Sequence, residues 1–131
     1  MNKKINKIFA EISIGELIDK ITILEIKKEK IDDNKKITEV EKELLSLNDT
    51  FKKTLPDLSQ ISSLMDELKS INLKLWDIEN DKRLAEKNND FGKKFIDLAR
   101  SVYKTNDERS RIKLKINNVL GSNIKEVKSH Y

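Results

Sequence analysis

Apolar side chains recurring every three or four residues, turn-forming residues dividing them into four runs, and a charged fraction of 38% matching the 37% hydrophobic fraction predict a mainly all-α protein. Long helices with solvated outer faces have this composition. The expected architecture is a four-helix antiparallel bundle or coiled-coil hairpin, with room for a short extended pair between the N- and C-terminal segments. A length of 131 residues fits a single domain spanning 1–131, since one core is typically built from about 100 to 200 residues.

The run Lys7-Ile8-Phe9-Ala10-Glu11-Ile12 is short and β-tolerant. It ends at Ser13-Ile14-Gly15-Glu16, a capping box in which each side chain satisfies the other's free backbone N–H. A first helix is therefore expected over about 13–31, broken by Asp32-Asp33-Asn34. Ile37, Val40, Leu44, Leu47 and Phe51 fall on one stripe and predict a second helix over about 36–53. Leu55-Pro56-Asp57 stops it, because proline removes a donor and restricts the residue before it. Ile61, Leu64, Leu68, Ile71, Leu75 and Ile78 keep heptad spacing and predict a third helix over about 59–88, ending at the turn-prone Asn88-Asn89-Asp90. Phe91, Phe95, Leu98, Val102, Ile112, Ile116 and Val119 share one face of a fourth helix over about 91–120, closed by Gly121, the natural left-handed residue after a helix. The tail from Ile124 to Tyr131 is then free to extend and pair with residues 7–12. Helices three and four should form a long antiparallel hairpin with helices one and two packed on it. Such hairpins commonly self-associate, so a homo-oligomer is expected.

Polar residues break the apolar seams. On helix four, Arg109 falls about 20° from Val102, and Lys113 and Asn106 lie within about 40° of the same line. On helix three, Glu79 and Asn72 flank the Leu75 stripe, with Trp76 and Arg83 at its edge. Folding the arms back at the Asn88–Asp90 turn sets Leu75 opposite Thr105 and Ile71 opposite Arg109, which makes Trp76, Tyr103, Asn106 and Arg109 neighbours. Arg109 could then sit on the indole face while Asn72 or Glu79 accepts its hydrogen bonds. Helix one is apolar on nearly all sides, as a central helix is, yet Glu16, Lys20 and Lys27 form a polar stripe along it. The candidate ligand-binding residues are therefore Glu16, Lys20, Trp76, Glu79, Arg83, Tyr103, Asn106, Arg109 and Lys113. Two readings of this layer stay open. It is either a satisfied ion network that fixes helix register, or a site for an anionic or sugar-like ligand, with charged forks and an aromatic platform. The first N–H groups of helix one, at Ile14 and Gly15, offer a further anion site.

Other chemistry is narrowed by what is missing. There is no cysteine, so no thiolate or cysteine metal site. The single histidine, His130, permits neither a triad nor a histidine metal site within one chain. Three glycines make no phosphate loop. No metal or cofactor is expected, and catalytic residues are unknown. Net charge is +4 but basic and acidic side chains alternate, which disfavours nucleic acid as a partner. Only four of the 27 basic residues are Arg, all between Arg83 and Arg111; either they mark places where a planar guanidinium fork is not replaceable by an ammonium, or they cluster by chance. No apolar stretch approaches a membrane span, and no signal-like core follows the basic start. Cytoplasmic localisation is expected.

The block from Glu11 to Lys27, with Leu75-Trp76-Asp77-Ile78-Glu79, the run from Phe95 to Tyr103, Asn106-Asp107, Ile112-Lys113 and Val127-Lys128-Ser129, resembles a bacterial and phage family of small helical proteins, a domain of unknown function. That resemblance implies a single-domain architecture and carries no activity. Its members' occurrence near glycan-assembly genes implies a sugar or nucleotide-sugar pathway. The rhythm of Leu17 to Leu24 is also similar to helical chorismate mutases, but the arginines expected in their first helix are lacking here. Two functions follow as expectations. One is a self-associating helical interaction or adaptor module that binds a protein partner. The other is a small helical binder or enzyme for an anionic or sugar-phosphate-like molecule.

Overall fold

The computed structural model describes residues 4–54 and 57–129. Four helices, α1 (Ile14–Lys30), α2 (Asn34–Thr54), α3 (Ser62–Lys87) and α4 (Lys93–Leu120), make a helical bundle. Their ends lie within a few residues of the sequence expectation because local chemistry sets them. The Ser13 hydroxyl accepts the Glu16 N–H at 3.0 Å. Only half of the expected capping box forms, since the Glu16 carboxylate turns to Lys113 instead. Asp33 caps α2 by accepting the Lys35 and Lys36 N–H groups at 2.9 and 3.3 Å. Asn89 (φ 54°) makes the turn of the hairpin, and Gly121 (φ 65°) ends α4 in the left-handed region. Leu55 and Pro56, assigned to the stop of helix two, lie outside the described residues.

α3 and α4 pack along each other, while α1 lies against all three other helices and α2 lies against α1. The central role expected for α1 is thus realised, and α2 is a brace on α1 rather than an equal wall of the hairpin. Leu17, Ile18, Ile21 and Leu24 of α1 meet Val40, Leu44 and Phe51 of α2, Ile61 and Leu68 from the α3 side, and Ile112 and Ile116 of α4 in one core. Such burial drives the fold at about 25 cal/mol per Å² of apolar surface.

That core occupies only the open end, or base, of the hairpin. From residue 80 to 104 the sole buried residue is Ala85. Phe95, Leu98 and Val102 are half-buried there, because two helices offer a seam and no third helix closes it. Leu84, Phe91, Ile96 and Tyr103 stand about half exposed or more around this tip.

The extended pair is not formed: no strand occurs among the described residues, and His130 and Tyr131 fall outside them. The terminal segments nonetheless meet through side chains. Asn123 donates to Glu11 at 2.7 Å, and Ser13 donates to Glu126 at 2.5 Å. These contacts are between side chains and build no backbone ladder.

Candidate functional site

The polar layer forms around a residue set in the densest part of α1. Asp19 precedes Ile26 by seven residues and Thr22 by three, so all three share one stripe of the helix, and all three are buried. A carboxylate there must be neutralised or hydrogen-bonded. Arg109 of α4 does this with a two-point fork: its Nε donates to Asp19 Oδ1 at 2.9 Å and its Nη2 donates to Oδ2. Asn72 of α3 donates its amide to the same Oδ1 at 2.9 Å and to Thr22 Oγ1 at 2.8 Å. Thr22 in turn donates to the Asp19 carbonyl at 2.8 Å. The remaining Arg109 nitrogen, Nη1, reaches Asn106 Oδ1 at 3.4 Å. Hydrogen bonding to Asp19 holds the guanidinium pKa above its ordinary value, against the opposing effect of burial and with help from the charges of Asp19 and Glu16. No buried side-chain nitrogen or oxygen lacks a partner among the described residues.

One turn towards the start of α1, Glu16 accepts from Lys113 at 2.5 Å and lies 3.7 Å from Lys20. A second knot closes the helix end. Gly15 donates its N–H to Asn117 Oδ1 at 2.7 Å, and Ile14 donates to Ser122 Oγ at 3.3 Å. Ser122 donates onward to the Ile124 carbonyl at 2.7 Å, and Asn117 donates to Glu126 at 3.2 Å. Burial raises the Glu126 pKa, but the Ser13 hydroxyl, its own backbone N–H, the Lys113 charge and the Asn117 amide outweigh this, so the net shift is downward. The N–H groups expected to be open for an anion are therefore occupied by α4 and the tail. Glycine is required at position 15 for close approach: a Cβ would stand 2.6 Å from the Lys113 carbonyl oxygen and 2.8 Å from Asn117 Oδ1.

Of the predicted residues, Trp76, Glu79, Asn106 and Arg109 come together in a groove of about 310 Å³ completed by Ile23, Ile26, Asn72 and Leu75. Glu16, Lys113 and the exposed Lys20 sit beyond it along the α1–α4 contact. Two residues do not join. Tyr103 is exposed on the tip and lies outside the groove. Arg83 is exposed one turn past the groove, which ends at Glu79. Glu79 lies 3.7 Å from Lys82 and is not the acceptor of Arg109. That acceptor, Asp19, was missed, as were Thr22, Asn117, Ser122 and Glu126. The sequence marks Asp19 only weakly: it shares the stripe of Ile26, but Glu16 and Lys20 beside it give the same helix a polar side.

The groove is lined mainly by apolar carbon, and the Arg109 charge is already balanced by Asp19. No group of His, Asp and Glu among the described residues is arranged to hold a metal ion. None of the described helices is long and apolar enough to cross a membrane.

The chain belongs to a family of unknown function, DUF6165, whose model matches residues 8–131. No curated protein and no solved structure matches it.

Proposed function

We propose that this member of the family is a non-enzymatic helical interaction module, working in the cytoplasm, that self-associates and presents the tip of its α3–α4 hairpin to another protein chain. The observation that supports this reading most directly is the contrast between a closed polar layer and an open apolar tip. All three nitrogens of the Arg109 fork have acceptors within the chain. A guanidinium so matched has little to gain from an anionic ligand. Leu84, Ile96 and Tyr103 project into solvent instead, around a two-helix seam that a second hairpin would complete. Sedimentation velocity should give a dimer or larger, and Ile96→Glu with Tyr103→Glu should return it to a monomer of unchanged helicity. A monomer at every concentration for the parent chain defeats the proposal.

A second reading rests on the groove. Its indole, carboxylate and amide suit a small polar ring better than a free anion, but sugar phosphates, nucleotide sugars and dicarboxylates are the direct probes. Thermal stabilisation by one of them, lost in Arg109→Lys, would favour a ligand-binding protein over an adaptor.

A further inference from the structure

The segment preceding α1 has a pattern that its own conformation leaves unused. Ile5, Ile8, Phe9 and Ile12 follow the spacing i, i+3, i+4, i+7. On a helical projection they fill an arc of about 100°, with Lys7 on the opposite side and Lys4 at the border. The described part of this segment has no regular secondary structure, and Ser13 (φ −71°, ψ 157°) separates it from α1. Its apolar side chains are not buried on the bundle: Ile5, Ile8 and Phe9 are 83%, 81% and 88% exposed.

Lysines outnumber acids around them, with Glu11 the one acid of the segment itself. Lys4, Lys7 and, on the adjoining tail, Lys125 have no ion-pair partner among the described residues. The two acids nearby accept hydrogen bonds from neutral donors and keep their charge, Glu11 from Asn123, and Glu126 from Ser13 and Asn117. Val127, 88% exposed, adds a further apolar side chain on the tail held against this end. Exposed apolar residues segregated from unpaired lysines complement an anionic lipid surface, where the lysines meet headgroups and the apolar arc enters the acyl boundary.

We infer that residues 4–12 form a membrane-surface arm that is extended in water and folds into a short amphipathic helix on anionic bilayers, holding the bundle at the membrane without crossing it. A helix satisfies the arm's backbone hydrogen bonds where water is scarce, which gives it a reason to fold on binding. Ser13 serves as the hinge, because its cap separates the arm from α1.

The full chain mixed with vesicles of equimolar phosphatidylcholine and phosphatidylglycerol should co-sediment and gain helical circular dichroism, and should remain in solution with phosphatidylcholine alone. Lys4→Gln with Lys7→Gln should weaken binding roughly 30-fold, at about fivefold per lysine near a charged surface. Ile8→Asp with Phe9→Asp should abolish it. Both variants should keep the thermal unfolding midpoint of the parent, since the arm lies outside the core. Failure of the parent chain to bind the anionic vesicles overturns the proposal, as does binding that survives Ile8→Asp with Phe9→Asp. If those substitutions instead abolish self-association and the parent ignores vesicles, the arm is an interface between copies and the membrane assignment is wrong.

Discussion

The two ends of the α3–α4 hairpin are built from the same kind of sequence and have different physical standing. At the base, α1 lies across both arms, and Leu68, Ile112 and Ile116 are buried in a common core with it. At the tip the same apolar spacing continues through Phe95, Leu98 and Val102, yet these side chains are only half covered. Periodicity alone therefore creates a seam; a core requires a third element to close it. The polar layer at Asp19 and Arg109 lies near this boundary and fixes how α1 crosses the pair. Stability should accordingly be concentrated at the base, and association at the tip.

The severest way to break that division is to remove the pairing at the base. Arg109→Met leaves the Asp19 carboxylate buried without its cation and should cost about 3–5 kcal/mol in urea unfolding, a large share of a typical total of about 5–15 kcal/mol. Adding Asp19→Leu to that variant should recover most of the loss, because replacing both partners by apolar groups is often neutral or better. If the double variant stays as unstable as the single one, the ion pair is not the source of the effect.

Gly15→Ala tests the closeness of α1 and α4. Alanine favours an isolated helix by about 1 kcal/mol, so a loss of stability can come only from the contact with the Lys113 carbonyl and Asn117. A net loss of about 1–3 kcal/mol is expected from this overpacking, read from the chemical denaturation midpoint. A gain would mean that the helices can separate without cost.

A milder effect should be gated by pH. Glu126 has a folded pKa below its ordinary 4.5, so its carboxylate form is favoured by folding. Its stabilisation is present above pH 4.5 and is lost as pH falls through the lower folded value. Glu126→Gln should flatten that acid limb of a stability–pH profile and have its main effect at neutral pH. An acid limb identical to the parent's would remove Glu126 from the account.

The smallest changes belong at the tip. Ile96→Ala and Tyr103→Ala should each shift unfolding of dilute protein by less than about 0.5 kcal/mol. Hydrogen exchange should separate the same regions, with amides from 80 to 104 exchanging faster than those of α1. Equal protection would erase the distinction between base and tip.

The legible part of this molecule is what neighbouring residues decide. Ser13, Asp33, Asn89 and Gly121 mark ends and turns through their own side chains or backbone, and stripes of Ile and Leu mark the inward faces. Arg109 announced itself as a charge on an apolar line. Its partner did not, because Asp19 falls among acidic and basic neighbours in a helix whose burial follows from packing on three sides. Asn117 and Glu126 were harder still. An asparagine near a helix end is ordinary in sequence, and its bond to Gly15 exists only because α1 and α4 approach closely enough to exclude a side chain at that glycine. The extended pair failed for a related reason: the segments do meet, but through side chains rather than through a backbone ladder.

The bond from Asn123 to Glu11 brings the segments before α1 and after α4 side by side. A short linker would therefore span them, and the chain could be reopened at the Asn88–Asp90 turn as a circular permutant. Such a molecule would keep α1, α2 and the knot at Asn117 while severing the tip, converting two arms of one hairpin into two free helical ends. Its folding would ask whether the base is sufficient by itself, with the tip's connection reduced from a structural requirement to a matter of chain order.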